Sequence, residues 1–213
     1  MQKTAPTIVV LISGRGSNLK ALIDHAKSSG AYRIAAVISN RPQAGGLALA
    51  VEAGIPTAVL DHTGFEGREP FDAALADLIE QHKPDWVVLA GFMRILTAGF
   101  VARFEGRLVN VHPSLLPAFP GLNTHQQALD AGVRVHGVTV HLVTAQLDHG
   151  PIVDQAVVPV LPGDTAEDLA QRVLALEHVI YPRAVAALAS GQIVLAQGRL
   201  QGALANALVH ALP

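Results

Sequence analysis

Short continuous runs of apolar residues alternate along the chain with longer stretches whose apolar positions recur every three to four residues. Ile8-Val9-Val10-Leu11-Ile12 is apolar throughout and stops at Ser13-Gly14-Arg15-Gly16, the pattern of a strand covered on both faces. Leu19, Leu22, Ile23 and Ala26 follow at helical spacing. Similar runs predict strands at Ile34–Ile38, Thr57–Leu60, Trp86–Ala90 and Leu108–Val111. Helices are predicted between them over roughly Gly45–Ala53, Arg68–His82 and Thr97–Phe104, with Pro70 suited to a first turn. Such alternation implies right-handed βαβ units around a mostly parallel, doubly wound sheet, an α/β fold.

The pattern changes after about residue 133. Val135–Val143 and Ile152–Val160 are long β-rich runs joined through Asp148-His149-Gly150-Pro151, which predicts an antiparallel pair in the C-terminal part. A long helix is predicted from about Asp164, with Asp164 and Glu167 at capping-box spacing and Pro182 expected to bend or divide it. From Gln197 onward the chain suggests at most a weak terminal helix.

Composition narrows the class. The 213 residues fit one large domain, and 50% are apolar against 15% charged, the wrong balance for a disordered chain. Fifteen basic and seventeen acidic residues leave a net charge of −2, which offers no footprint for nucleic acid or an anionic membrane. There is no cysteine, hence no disulfide, thiolate metal site or cysteine nucleophile. The first apolar run is too short for a secretory signal, and no uninterrupted apolar run approaches the roughly 18 residues of a membrane span. A cytoplasmic enzyme is the expectation.

Polar residues at strand ends carry the candidate chemistry. Ser13-Gly14-Arg15-Gly16-Ser17-Asn18-Leu19 follows a strand and opens a helix, but Leu19 stands where a dinucleotide fingerprint wants its third Gly or Ala. The second strand ends in Ser39-Asn40-Arg41 rather than an acid, and no Gly-Lys-Ser/Thr follows. What remains is a helix N-terminus with close backbone approach, suited to one phosphate monoester; a plain turn capped by Ser17 or Asn18 is the alternative. In Val109-Asn110-Val111-His112-Pro113, Asn110 and His112 project to one face at the carboxyl end of a strand, where ligands bind in parallel sheets. Leu147-Asp148-His149-Gly150 is either a solvated turn or, if Asp148 folds back on His112, a carboxylate that favours the imidazolium form. No histidine pair has the spacing of a zinc motif and no Gly-x-Ser-x-Gly elbow occurs, so no metal is expected.

Taken together, Ile12–Leu19, Leu89-Ala90-Gly91-Phe92-Met93-Arg94-Ile95-Leu96, Asn110-Val111-His112-Pro113-Ser114-Leu115-Leu116-Pro117 and Thr144–Pro151 resemble the formyltetrahydrofolate-using formyltransferases, over about Ile8 to Gly191. Within that group they are most similar to the glycinamide ribonucleotide formyltransferases of purine biosynthesis. Methionyl-tRNA formyltransferases add a tRNA-binding barrel for which the chain has no length. Formyltetrahydrofolate hydrolases carry a regulatory domain ahead of the catalytic one, whereas here the first strand begins within ten residues of Met1.

The resemblance implies a Rossmann-like formyltransferase domain over 1–195, a tail over 196–213, and 10-formyltetrahydrofolate as co-substrate. It implies phosphate binding by Gly16, Ser17 and Asn18, with Glu177 at the substrate's amino end and Leu174 departing from a polar residue nearby. It implies catalysis by Asn110, His112 and Asp148, and folate contacts from Arg68, Met93, Arg94, Ile95, Leu96, Asn110, Thr144 and Asp148. Small-molecule substrates, with no nucleic acid or membrane, are the expected partners. A formyltetrahydrofolate hydrolase or a non-catalytic nucleotide-binding module are the alternatives.

Overall fold

A computed structural model describes residues 5–202 and 204. Five parallel strands come first: β1 (Thr7–Ile12), β2 (Arg33–Ser39), β3 (Thr57–Val59), β4 (Trp86–Leu89) and β5 (Leu108–His112). They are extended by the antiparallel β6 (Val135–Leu142) and β7 (Ile152–Pro159), giving one sheet in the order β3-β2-β1-β4-β5-β6-β7. The order reverses between β1 and β4, so the loops leaving these two strands diverge around a crevice at their carboxyl ends.

Period-2 alternation divides β1 between two cores. Ile8, Val10 and Ile12 face α1 (Ser17–Ser29), α2 (Gly46–Glu52), α5 (Thr124–Asp130) and α6 (Ala166–Ser190). Val9 and Leu11 face α3 (Arg68–Glu80) and α4 (Ala98–Arg103). All five are fully buried, which explains why β1 reads as an unbroken apolar run. Tyr181 of α6 is fully buried too, and its hydroxyl lies 2.9 Å from the Leu89 carbonyl and 3.2 Å from that of Val109, tying α6 to β4 and β5.

Several expectations need correction. The cap of α6 is Thr165, one residue later than expected: it and Asp168 form the capping box, while Asp164 pairs with Arg172 at 2.8 Å. Pro182 does not divide the helix, which runs continuously to Ser190. By length and composition α6 is apolar enough to cross a membrane, yet Leu169, Val173, Leu176 and Ile180 are buried against the sheet. The short α5 has no counterpart in the sequence reading; only Thr124 and Ala128 of its seven residues are buried, too little apolar signal to show. Residues 199–201, expected as part of a terminal helix, form instead the second strand of a hairpin between β8 (Val194–Ala196) and β9 (Arg199–Gln201). Within that expected helix, 203 and 205–213 lie outside the described residues.

Candidate active site

The glycine loop lies at the carboxyl end of β1. Gly16 adopts φ +85°, and a Cβ there would sit 2.6 Å from the Gly46 Cα, so the loop packs on the start of α2 as only glycine allows. The first intrahelical bond runs from the Lys20 N–H to the Gly16 carbonyl at 2.9 Å. The N–H groups of Ser17, Asn18 and Leu19 therefore precede the helical ladder and point out of its N-terminus. Neither Ser17 nor Asn18 is the cap: that position is Gly16, with no side-chain bond. The Asn18 side chain, instead of turning outward, donates to Glu177 of α6 at 2.6 Å. Both residues are buried, and burial pushes the Glu177 carboxyl above its ordinary range despite the Asn18 bond.

The segment after β4 forms the second wall. Met93 and Ile95 are 67% and 57% exposed, while Phe92 and Leu96 pack partly on the core. Arg94 stacks its guanidinium over the Phe71 ring of α3, 4.6 Å from the centroid. Arg68 is exposed in the first turn of α3, and Thr144 is exposed in the segment joining β6 to β7.

Asn110, His112 and Asp148 converge. The first two lie at alternate positions of β5, and the Asp148 carboxylate reaches within 3.5 Å of His112 Nδ1. That carboxylate also accepts the Gly121 N–H at 2.9 Å. Asp148 sits at φ +50°, and two residues later a Cβ on Gly150 would lie 1.7 Å from the Leu142 carbonyl. The Gly in Leu-Asp-His-Gly thus lets the returning chain press against β6 and carry Asp148 inward.

His141, which nothing in the sequence singles out, belongs to this cluster as well. It stands directly opposite Asn110 in the β5–β6 ladder. Its Nδ1 lies 3.0 Å from the Leu142 carbonyl, which can only accept, so Nδ1 carries the proton. Burial lowers the His141 pKa, so the ring is neutral and Nε2 accepts from Asn110 Nδ2 at 3.3 Å. One Asn110 amide hydrogen is thereby committed to His141. The Asp148 Oδ1 lies 3.8 Å from His141 Nε2. His112 Nε2 lies 3.0 Å from the Phe119 carbonyl, in the loop that follows β5. Only the register of two antiparallel strands puts His141 here, and spacing alone does not give that register.

Known proteins resemble the chain over most of its length. The chain is 51% identical over 189 residues to phosphoribosylglycinamide formyltransferase from Escherichia coli (strain K12), covering 87% of this chain and 88% of that protein. It is 48% identical over 202 residues to the trifunctional purine biosynthetic protein adenosine-3 of Bos taurus, covering 94% of this chain but 20% of that protein. The crystal structure of glycinamide ribonucleotide transformylase 1 from Symbiobacterium toebii superposes with a TM-score of 0.91 at 47% identity, covering 95% of this chain and 96% of that one. The sequence profile of the formyl transferase family matches residues 7–185, and the chain belongs to that family.

Proposed function

We propose that this protein transfers the formyl group of 10-formyltetrahydrofolate to the primary amine of glycinamide ribonucleotide. The observation that carries the reading is the Asn110–His112–Asp148 cluster at the end of β5, on the same sheet edge as the helix N-terminus after β1 and the partly exposed loop after β4. The N–H groups of Gly16, Ser17 and Asn18 take the phosphate, and Glu177 stands at the amine end. Met93, Arg94, Ile95 and Leu96, with Thr144 and Asp148, hold the pterin, and Arg68 meets the folate carboxylates.

In the reaction the amine nitrogen bonds to the formyl carbon, giving a tetrahedral oxyanion. The other Asn110 amide hydrogen donates to that oxygen. His112 Nε2–H donates as well, the oxyanion taking the place now held by the Phe119 carbonyl. Both ring nitrogens of His112 face acceptors, so the Asp148 carboxylate 3.5 Å from Nδ1 supplies a counter-charge when the ring is doubly protonated. Collapse breaks the bond from the formyl carbon to N10. The amine gives up one proton and N10 gains one, so tetrahydrofolate leaves without a covalent enzyme intermediate or a metal. The catalytic unit extends over 1–195 with 196–213 as a tail, in a cytoplasmic protein.

The test is an assay of purified protein with both substrates. The reading expects tetrahydrofolate release that depends on glycinamide ribonucleotide. Release with water alone would make the protein a hydrolase, and no release would make it a binding module.

A further inference from the structure

Two buried polar side chains take no part in the chemistry above: Ser13, 4% exposed after β1, and Asn40, 2% exposed after β2. The Ser13 hydroxyl donates to Asn40 Oδ1 at 2.6 Å and accepts the Met93 N–H at 2.8 Å. The Ser13 N–H donates to the Gly91 carbonyl at 3.2 Å. One residue thus grips both ends of the Gly91-Phe92-Met93 turn while beginning the glycine loop on its other side. Asn40 is fixed in turn by His62, whose Nδ1 lies 2.9 Å from the Asn40 backbone carbonyl and 3.3 Å from its side-chain Nδ2. The His62 ring meets Phe71 edge-on at 6.4 Å, and Phe71 carries Arg94. The contacts close into a ring through Ser13, Asn40, His62, Phe71, Arg94 and Met93.

From this ring we infer that Ser13, with Asn40 as its support, is a positioning residue that sets the 91–96 loop for folate binding. The inference rests on the reading that this loop holds the folate. The exposed Met93 side chain does not anchor the loop by packing, so the bond from its N–H to Ser13 holds the backbone between the packed Phe92 and the stacked Arg94. The glycine loop has anchors of its own: the Gly46 N–H donates to the Gly14 carbonyl at 3.1 Å, and Gly16 packs against Gly46. Loss of the Ser13 hydroxyl therefore acts on the folate side and spares the phosphate side. A hydroxyl suits the position because it donates to an oxygen that only accepts while keeping a lone pair for an N–H.

Ser13→Ala is expected to raise the KM for 10-formyltetrahydrofolate about tenfold, with kcat and the ribonucleotide KM within about twofold of wild type. Ser13→Thr keeps the hydroxyl and returns the folate KM toward wild type. Asn40→Ala, which strips the hydroxyl of its acceptor, reproduces the split and serves if Ser13→Ala does not fold. Calorimetric binding of tetrahydrofolate weakens in parallel, and the Met93 amide exchanges faster with solvent. An unchanged folate KM, or both KM values raised alike, overturns the positioning role. A wild type that transfers no formyl group refutes the proposed function instead. The positioning role then stands or falls on tetrahydrofolate binding and Met93 exchange, with wild-type values for either variant overturning it.

Discussion

Asn18, the second residue of α1, donates a 2.6 Å hydrogen bond to Glu177 in the middle of α6, a residue 159 positions later in the chain. This bond joins the proposed phosphate-binding turn to the proposed amine-binding carboxylate, and it does so in a buried environment.

Glu177→Gln keeps an acceptor for Asn18, whereas Glu177→Ala leaves a buried amide hydrogen without one. Urea unfolding is expected to find Glu177→Ala about 1–3 kcal/mol less stable than Glu177→Gln. Burial raises the folded-state pKa of Glu177, so the wild type loses stability from this group as pH rises above its ordinary value of 4.5. Glu177→Gln lacks that loss and should unfold at or above the wild-type urea midpoint at pH 7.5. A lower midpoint for Gln would contradict the burial argument.

His112→Ala is expected to lower kcat by roughly 10²–10⁴, the range for a positioned acid or base. Asp148→Asn removes the counter-charge beside His112 but keeps an oxygen for the Gly121 N–H. It should reduce kcat comparably while the ribonucleotide KM stays within about twofold of wild type. Steady-state kinetics of the two variants, with both substrates varied, decides the roles.

At Gly16 a Cβ meets the Gly46 Cα at 2.6 Å, and the positive φ adds strain of about 1–3 kcal/mol. Gly16→Ala should therefore raise the ribonucleotide KM by about tenfold or more, since the N–H groups aimed at the phosphate move with the loop. The folate KM should change much less. Equal shifts in both would remove the phosphate assignment.

Acid sensitivity should come in part from His136, whose ring lies 5.3 Å from that of His125 and 5.9 Å from Phe119. Burial above all, with the neighbouring His125 adding to it, lowers its pKa from 6.5 to about 4. The unfolded chain therefore binds a proton here that the folded chain refuses between those values. The stability contribution is complete above about pH 6.5 and is lost as pH falls toward 4. Unfolding free energies measured from pH 7 to 4.5 should fall less steeply for His136→Phe than for wild type. An identical slope would show that the ring does not titrate in this window.

The sequence carried the strands and most of the helices because each buries a patterned face. β1 is apolar at every position since the sheet is covered on both sides, and Leu19, Leu22 and Ile23 mark the buried stripe of α1. Two elements that did not show bury little, two of seven residues in α5 and none in β9, although β3, which also buries none, was legible as an apolar run. Asn110 and His112 were legible as a pair because a strand forces alternate residues onto one face.

The sequence by itself determined the order of strands and helices, the glycine turn and the shared face of Asn110 and His112, since these depend on local backbone geometry and periodic burial. Only the tertiary structure decided that Asp148 meets His112, that His141 fixes Asn110, that Glu177 holds Asn18 and that Ser13 grips Met93. Each of those contacts joins residues far apart in the chain, and their meeting depends on sheet order, on the β5–β6 register and on one glycine allowing close backbone approach. Such long-range geometry has no periodic trace in a linear string of residues.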